Sequence, residues 1–139
     1  MGTWKLNLEP RTTIRPTSQY SPGFPAPKSE TIEFALSGEN GVKFTGDTVD
    51  ADGKTIHVEY TAQLDGKDYP VKGDPNRDTV SLKRVKPNVT EGTSKKAGEV
   101  TGTFSILLWG NGLLMTVTSK DTRNGKTYDN IALYQKVIR

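Results

Sequence analysis

The chain has 139 residues, no cysteine, one histidine and a net charge of +3, with 19 Lys and Arg against 16 Asp and Glu. This composition excludes a disulfide framework and thiolate metal sites, and it leaves His57 too isolated for a His-based metal site or a Ser-His triad. Basic and acidic residues alternate along the sequence, so no basic face forms for nucleic acid, and no apolar run approaches the ~20 residues of a membrane helix.

The elements read as strands in chain order. Trp4, Leu6 and Leu8 share one face of the first, Ile32, Phe34 and Leu36 of the second, and Val42 and Phe44 of the third. Ile56, Val58, Tyr60, Ala62 and Leu64 form the clearest stripe, with His57, Glu59, Thr61 and Gln63 opposite. Tyr69 and Val71 follow, then Val80 and Leu82, with Arg84 continuing their parity and Glu91 within reach of it. Val100, Gly102, Phe104, Ile106 and Leu108 share a face, as do Leu113, Met115 and Val117, and finally Asn130, Ala132 and Tyr134. A period of two is the mark of sheets with one wet and one buried face. Turn signals such as Asn40-Gly41, Asp52-Gly53, Asp65-Gly66 and Asn124-Gly125 recur between the stripes. The pattern predicts an all-β, closed, antiparallel up-and-down meander barrel of about ten strands, built as one domain over residues 1–139. Closure follows because a flat meander would leave two long edges free to pair with other chains.

Residues 9–29 break the rhythm. Pro10, Pro16, Pro22, Pro25 and Pro27 remove ladder donors, so the segment reads as a long irregular connection. Two readings stand side by side: a lid held across the barrel mouth by Tyr20 and Phe24, or a plug at the barrel bottom.

The residues also carry a family likeness. Gly2-Thr3-Trp4-Lys5-Leu6 resembles the Gly-x-Trp opening of the lipocalin and fatty-acid-binding-protein superfamily, the calycins, and Ile131-Ala132-Leu133-Tyr134-Gln135-Lys136 looks like the last strand of fatty-acid-binding proteins. Ser21-Pro22-Gly23, Glu59-Tyr60-Thr61-Ala62, Asp65 to Val71 and Asp78 to Arg84 look more specifically like small exported bacterial lipocalin-like proteins. The resemblance implies a ligand-holding barrel and a periplasmic or secreted location. The Met1-Gly2-Thr3-Trp4 opening reads either as a mature domain given a start Met after its leader was removed or as a natural cytoplasmic start. Two departures stand out. The Pro-rich segment replaces the helical lid of fatty-acid-binding proteins, and of their Arg-x-Tyr carboxylate reader only Tyr134 matches, with Ala132 at the Arg position.

Phe34, Phe44, Tyr60, Tyr69, Phe104, Met115, Asn130 and Tyr134 are the expected lining of an apolar cavity speckled with hydroxyls, and Arg84 is a candidate for an anionic head group. The expected ligand is small and hydrophobic or amphipathic, with no cofactor and no metal. Leu107-Leu108-Trp109-Gly110-Asn111-Gly112-Leu113-Leu114-Met115 is apolar at both parities, so Leu107, Trp109 and Leu114 are expected to face outward as a contact surface, with a second copy of the chain as partner. Trp4 is expected to close the barrel bottom. His57 and Glu59 read as neighbours on the outer face, and Asp47, Asp50 and Asp52 as turn chemistry without the spacing of a calcium loop. Three functions follow: a small-molecule binding barrel, an association module, or an enzyme, natural or engineered, using the same cavity. No nucleophile motif, phosphate loop or metal spacing points to a reaction.

Overall fold

In a computed structural model, residues 2–8 and 18–137 are described; Pro10 and Pro16, with the rest of 9–17, lie outside that set. Ten strands follow one another: β1 (Gly2–Leu6), β2 (Ser29–Leu36), β3 (Gly41–Val49), β4 (Thr55–Gln63), β5 (Asp65–Lys72), β6 (Thr79–Lys86), β7 (Val89–Lys96), β8 (Glu99–Trp109), β9 (Leu114–Arg123) and β10 (Lys126–Lys136). Each pairs antiparallel with its chain neighbours, and β1 pairs with β10 through Trp4 with Lys136, Lys5 with Gln135 and Leu6 with Tyr134. The result is a closed up-and-down barrel of lipocalin and fatty-acid-binding-protein type, with no helix among the described residues.

Short turns make the meander possible. At β9–β10, Asn124 (φ 54°) and Gly125 (φ 78°) both adopt the left-handed conformation that matches strand twist in two-residue hairpins. The seam between β4 and β5 is the thinnest of the barrel: only Glu59 with Lys72 and Tyr60 with Val71 stay in register.

Alternation then sorts the side chains. Trp4, Leu6, Ile32, Phe34, Val42, Tyr60, Ala62, Val80, Leu82, Met115 and Tyr134 form one buried cluster, with Phe44, Tyr69, Phe104, Ile106 and Val117 packed against it. Trp4 meets Phe34 edge-on at 6.2 Å and closes the end of the barrel opposite residues 18–28.

Four positions depart from the period-two reading. Leu8 and Leu36 lie at or past strand ends and are exposed. Leu113 belongs to the four-residue β8–β9 turn and points to solvent instead of sharing the face of Met115. Val100 is 56 % exposed because β8 carries a bulge: Ser94 pairs with Gly102 and Lys95 with Val100, leaving Thr101 as the extra residue. A bulge exchanges the faces on either side of it, so Val100 turns out while Gly102, Phe104 and Ile106 stay in.

Gly92 on β7 is buried directly beneath the Phe104 ring, where an added Cβ would clash with the ring carbons. Gly92→Ala therefore forces the ring aside and is expected to cost about 1–3 kcal/mol, read as a lower urea midpoint at unchanged m-value.

Candidate functional site

Ten strands enclose more space than their inward side chains fill. Two contiguous cavities of about 380 and 220 Å³ occupy the half of the barrel away from Trp4. Tyr20, Phe24, Pro25 and Pro27 line the outer one; Ile32, Phe34, Tyr60, Phe104 and Ile106 line the deeper one. Phe44, Val117, Tyr134 and a set of charged residues belong to both. A larger groove, about 530 Å³, runs along the outside of β6–β10, but exposed Lys83, Glu91, Thr103 and Lys120 form much of its wall, and no buried polar network converges there.

The apolar wall is a row of rings. Phe34 meets Phe44 at 5.2 Å, and Phe44 stacks on Tyr60 at 4.7 Å with 15° between planes. Against this wall sits a polar network. Glu30, one turn of the pleat above Ile32, accepts from Tyr134 O–H on Oε1 and from Thr48 Oγ1 at 2.6 Å on Oε2. Asp121 accepts from Ser119 Oγ at 2.9 Å and Asn130 Nδ2 at 3.2 Å, both on Oδ2. Arg77 reaches in from the β5–β6 loop, pairs through Nε with Asp74 at 2.9 Å, donates to Ser94 Oγ at 3.4 Å and lies 5.5 Å from the Tyr60 ring centre. Arg123 lies 5.1 Å from the Phe24 ring centre.

Residues 18–28 are fastened over this end. Gln19 bridges to Ile131, Ser21 N–H donates to Asn130 Oδ1 at 2.9 Å, and Ser21 Oγ takes the Asp129 N–H at 2.9 Å. Tyr20 stacks flat on Phe24 at 5.7 Å, and Phe24 meets Tyr128 edge-on at 5.4 Å.

The phenols respond to these surroundings. Burial raises the Tyr134 phenol well above the usual range, and neighbouring Glu30 adds to it. Burial, then Glu30 and Asp121, does the same for Tyr20. Burial pushes Tyr60 up to about 12 against a lowering by Arg77. All three stay neutral hydroxyls at physiological pH.

The expected lining residues separate into groups. Phe34, Phe44, Tyr60, Phe104, Asn130 and Tyr134 stand in the cavity walls. Tyr69 packs its ring on the core, but its hydroxyl turns outward and donates to Asp65 at 2.7 Å, which raises its pKa. Met115 is buried at the opposite end, beside a void of only about 70 Å³ that Trp4 also lines. Arg84 keeps the parity of Leu82 and lines that same small void, but at the end of the barrel, where it is exposed. It therefore stands away from the two larger cavities, where the described guanidiniums are Arg77 and Arg123. Leu107 and Trp109 are each 37 % exposed and Leu114 is half-buried, on the outer face; Trp109 Nε1 donates to Thr116 Oγ1 at 2.8 Å. His57 sits outside between Asp47 at 2.6 Å and Glu59 at 2.7 Å, and the two hydrogen bonds raise its pKa.

Glu30, Ser119, Asp121 and Arg123 were legible by parity, since they continue the stripes of Ile32 and Val117. Arg77 and Asp74 lie in a loop, and no local signal marks them as inward.

No family model matches the chain, and no curated protein matches it. One solved structure is similar, titled "The Siderocalin Ex-FABP functions through dual ligand specificities", at 10 % identity over 98 % of this chain and 72 % of that one, with a TM-score of 0.42.

The raised phenols set an alkaline limit. Between pH 10 and about 12 the unfolded chain releases phenolic protons that the folded barrel keeps, so stability falls as pH rises through this window. Absorbance titration of the folded protein is expected to show Tyr60 still protonated at pH 11, and Tyr60→Phe to reduce the loss of stability between pH 10 and 12.

Proposed function

We propose that the protein binds a small hydrophobic or amphipathic molecule inside the barrel, with residues 18–28 as the lid. The supporting observation is the pair of contiguous cavities, whose volume falls in the range of small-molecule sites and whose walls combine stacked rings with a few fixed polar groups. The Asn130–Ser21 clasp supports the lid reading, because it ties the segment to β10 on the cavity side. Asp121, Glu30 and the phenols would orient the ligand while Phe44 and Tyr60 supply apolar contact.

Ala132 lies in the cavity wall at a half-buried position. Ala132→Trp is expected to fill the space and weaken binding of the neutral fluorophore nile red at least about tenfold, while the circular dichroism of the barrel is retained. Equal binding by both proteins would place the dye elsewhere and overturn the interior reading.

Self-association is the second reading, favoured by Leu107, Trp109 and Leu113 all being exposed around one turn. Each fills a position where a soluble strand or turn usually carries a polar group. Replacing Trp109 with Lys and Leu114 with Thr is expected to convert a weak dimer into a monomer of unchanged fold. A native protein already monomeric in sedimentation at high micromolar concentration refutes this reading.

A further inference from the structure

The charges in the cavity are unevenly compensated. Both guanidiniums at the site are engaged: Arg77 by Asp74, Ser94 and the Tyr60 ring, Arg123 by the Phe24 ring. Among the described residues, Glu30 and Asp121 accept from neutral donors, namely Tyr134 and Thr48 for the first, Ser119 and Asn130 for the second. On Asp121 both donors use Oδ2, and Oδ1, which lies over Gly102 of β8, takes no hydrogen bond from the described residues. Among the described lining residues of the outer cavity there is no lysine, and Glu30, Asp50, Asp52, Asp74 and Asp121 stand against Arg77 and Arg123, five carboxylates to two guanidiniums. This acidic interior belongs to a chain whose net charge is +3.

Carboxylates withdrawn from water favour a counter-cation, and hydroxyl donors alone leave the charge uncompensated. An anionic head could reach the in-plane N–H groups that Arg123 keeps while stacked on Phe24, but it would then stand among the acids. A cationic head meets attraction from those acids instead. Tyr20 lies close enough to both Glu30 and Asp121 for each to resist its ionisation, so one bound group near Tyr20 is within the field of both. The Phe44–Tyr60 stack, 4.7 Å between centres, offers a flat wall for a ring.

We infer that the cavity is built for a small aromatic or apolar amine, its ammonium held against Glu30 and Asp121 beneath the lid and its body on Phe44 and Tyr60. This rests on the interior-binding reading and names the class of ligand for it.

The test uses the full chain and three indoles with a cationic, a neutral and an anionic side-chain head: tryptamine, tryptophol and indoleacetate. Calorimetry at neutral pH and low salt is expected to rank tryptamine about tenfold or more tighter than tryptophol, with indoleacetate weakest, as charge-assisted hydrogen bonds exceed neutral ones. The double variant Glu30→Gln, Asp121→Asn keeps acceptors for Tyr134 and Asn130 and is expected to bring tryptamine down to the level of tryptophol. On the unaltered protein, added salt is expected to weaken tryptamine and leave tryptophol unchanged. Indoleacetate binding as tightly as tryptamine, or a preference for the amine that survives the double substitution or is indifferent to salt, overturns the inference. Nile red bound with no preference for tryptamine overturns the amine assignment and leaves the interior reading standing. Failure of all four compounds to bind overturns both.

Discussion

Closure of the sheet by β1 against β10 is the constraint on which everything else depends. Three residue pairs, Trp4 with Lys136, Lys5 with Gln135 and Leu6 with Tyr134, complete the ring of ten strands. Once the ring is closed, the number of strands fixes its width, and ten strands give an interior wider than a single layer of side chains can fill. At one end the problem is solved by size: Trp4, Phe34, Leu82 and Met115 meet and leave only a void of about 70 Å³. At the other end the inward rings of Phe44, Tyr60 and Phe104 line the wall without meeting across it, and cavities remain. Trp4 Nε1 is buried with no acceptor among the described residues, so packing at the closed end prevails over the hydrogen bond this indole could make.

The polar groups of the open half follow from the same geometry. A strand that continues its inward parity beyond the packed region places whatever stands there inside the barrel. Glu30 on β2 and Asp121 on β9 are such continuations, and each survives because neighbouring strands bring donors: Thr48 from β3 and Tyr134 from β10 to Glu30, Asn130 from β10 to Asp121. A buried carboxylate without such donors would cost several kcal/mol. The network therefore has a structural part as well as a chemical one. Asn130 joins the two, since its amide nitrogen serves Asp121 and its oxygen holds the backbone of Ser21.

The Pro-rich connection depends on the barrel in turn. Residues 18–21 have few partners of their own; Gln19 and Ser21 pair with Ile131, Asp129 and Asn130 along the upper part of β10, beyond the stretch that β1 occupies. A short β1 leaves that edge of β10 open, and the connection covers it. Its prolines prevent it from becoming an eleventh strand, and Tyr20 and Phe24 hold their rings over the cavity instead.

Alternation and turn chemistry in the sequence determined the ten strands, their antiparallel order and the inward placement of Phe34, Phe44, Tyr60, Phe104 and Tyr134, because a period of two and a left-handed Asn-Gly pair are local properties of the backbone. The same rule reached Asn130, and extending it would have reached Glu30 and Asp121. It failed at Val100, where a bulge depends on how β7 pairs with β8. It also failed at Tyr69, whose ring obeys parity while its hydroxyl follows Asp65 outward. Only the tertiary structure brought Arg77 and Asp74 from a loop into the barrel, set Tyr134 against Glu30 across more than a hundred residues of chain, and left the cavity open. Those outcomes depend on the circumference of a closed ring, a property that no single strand carries.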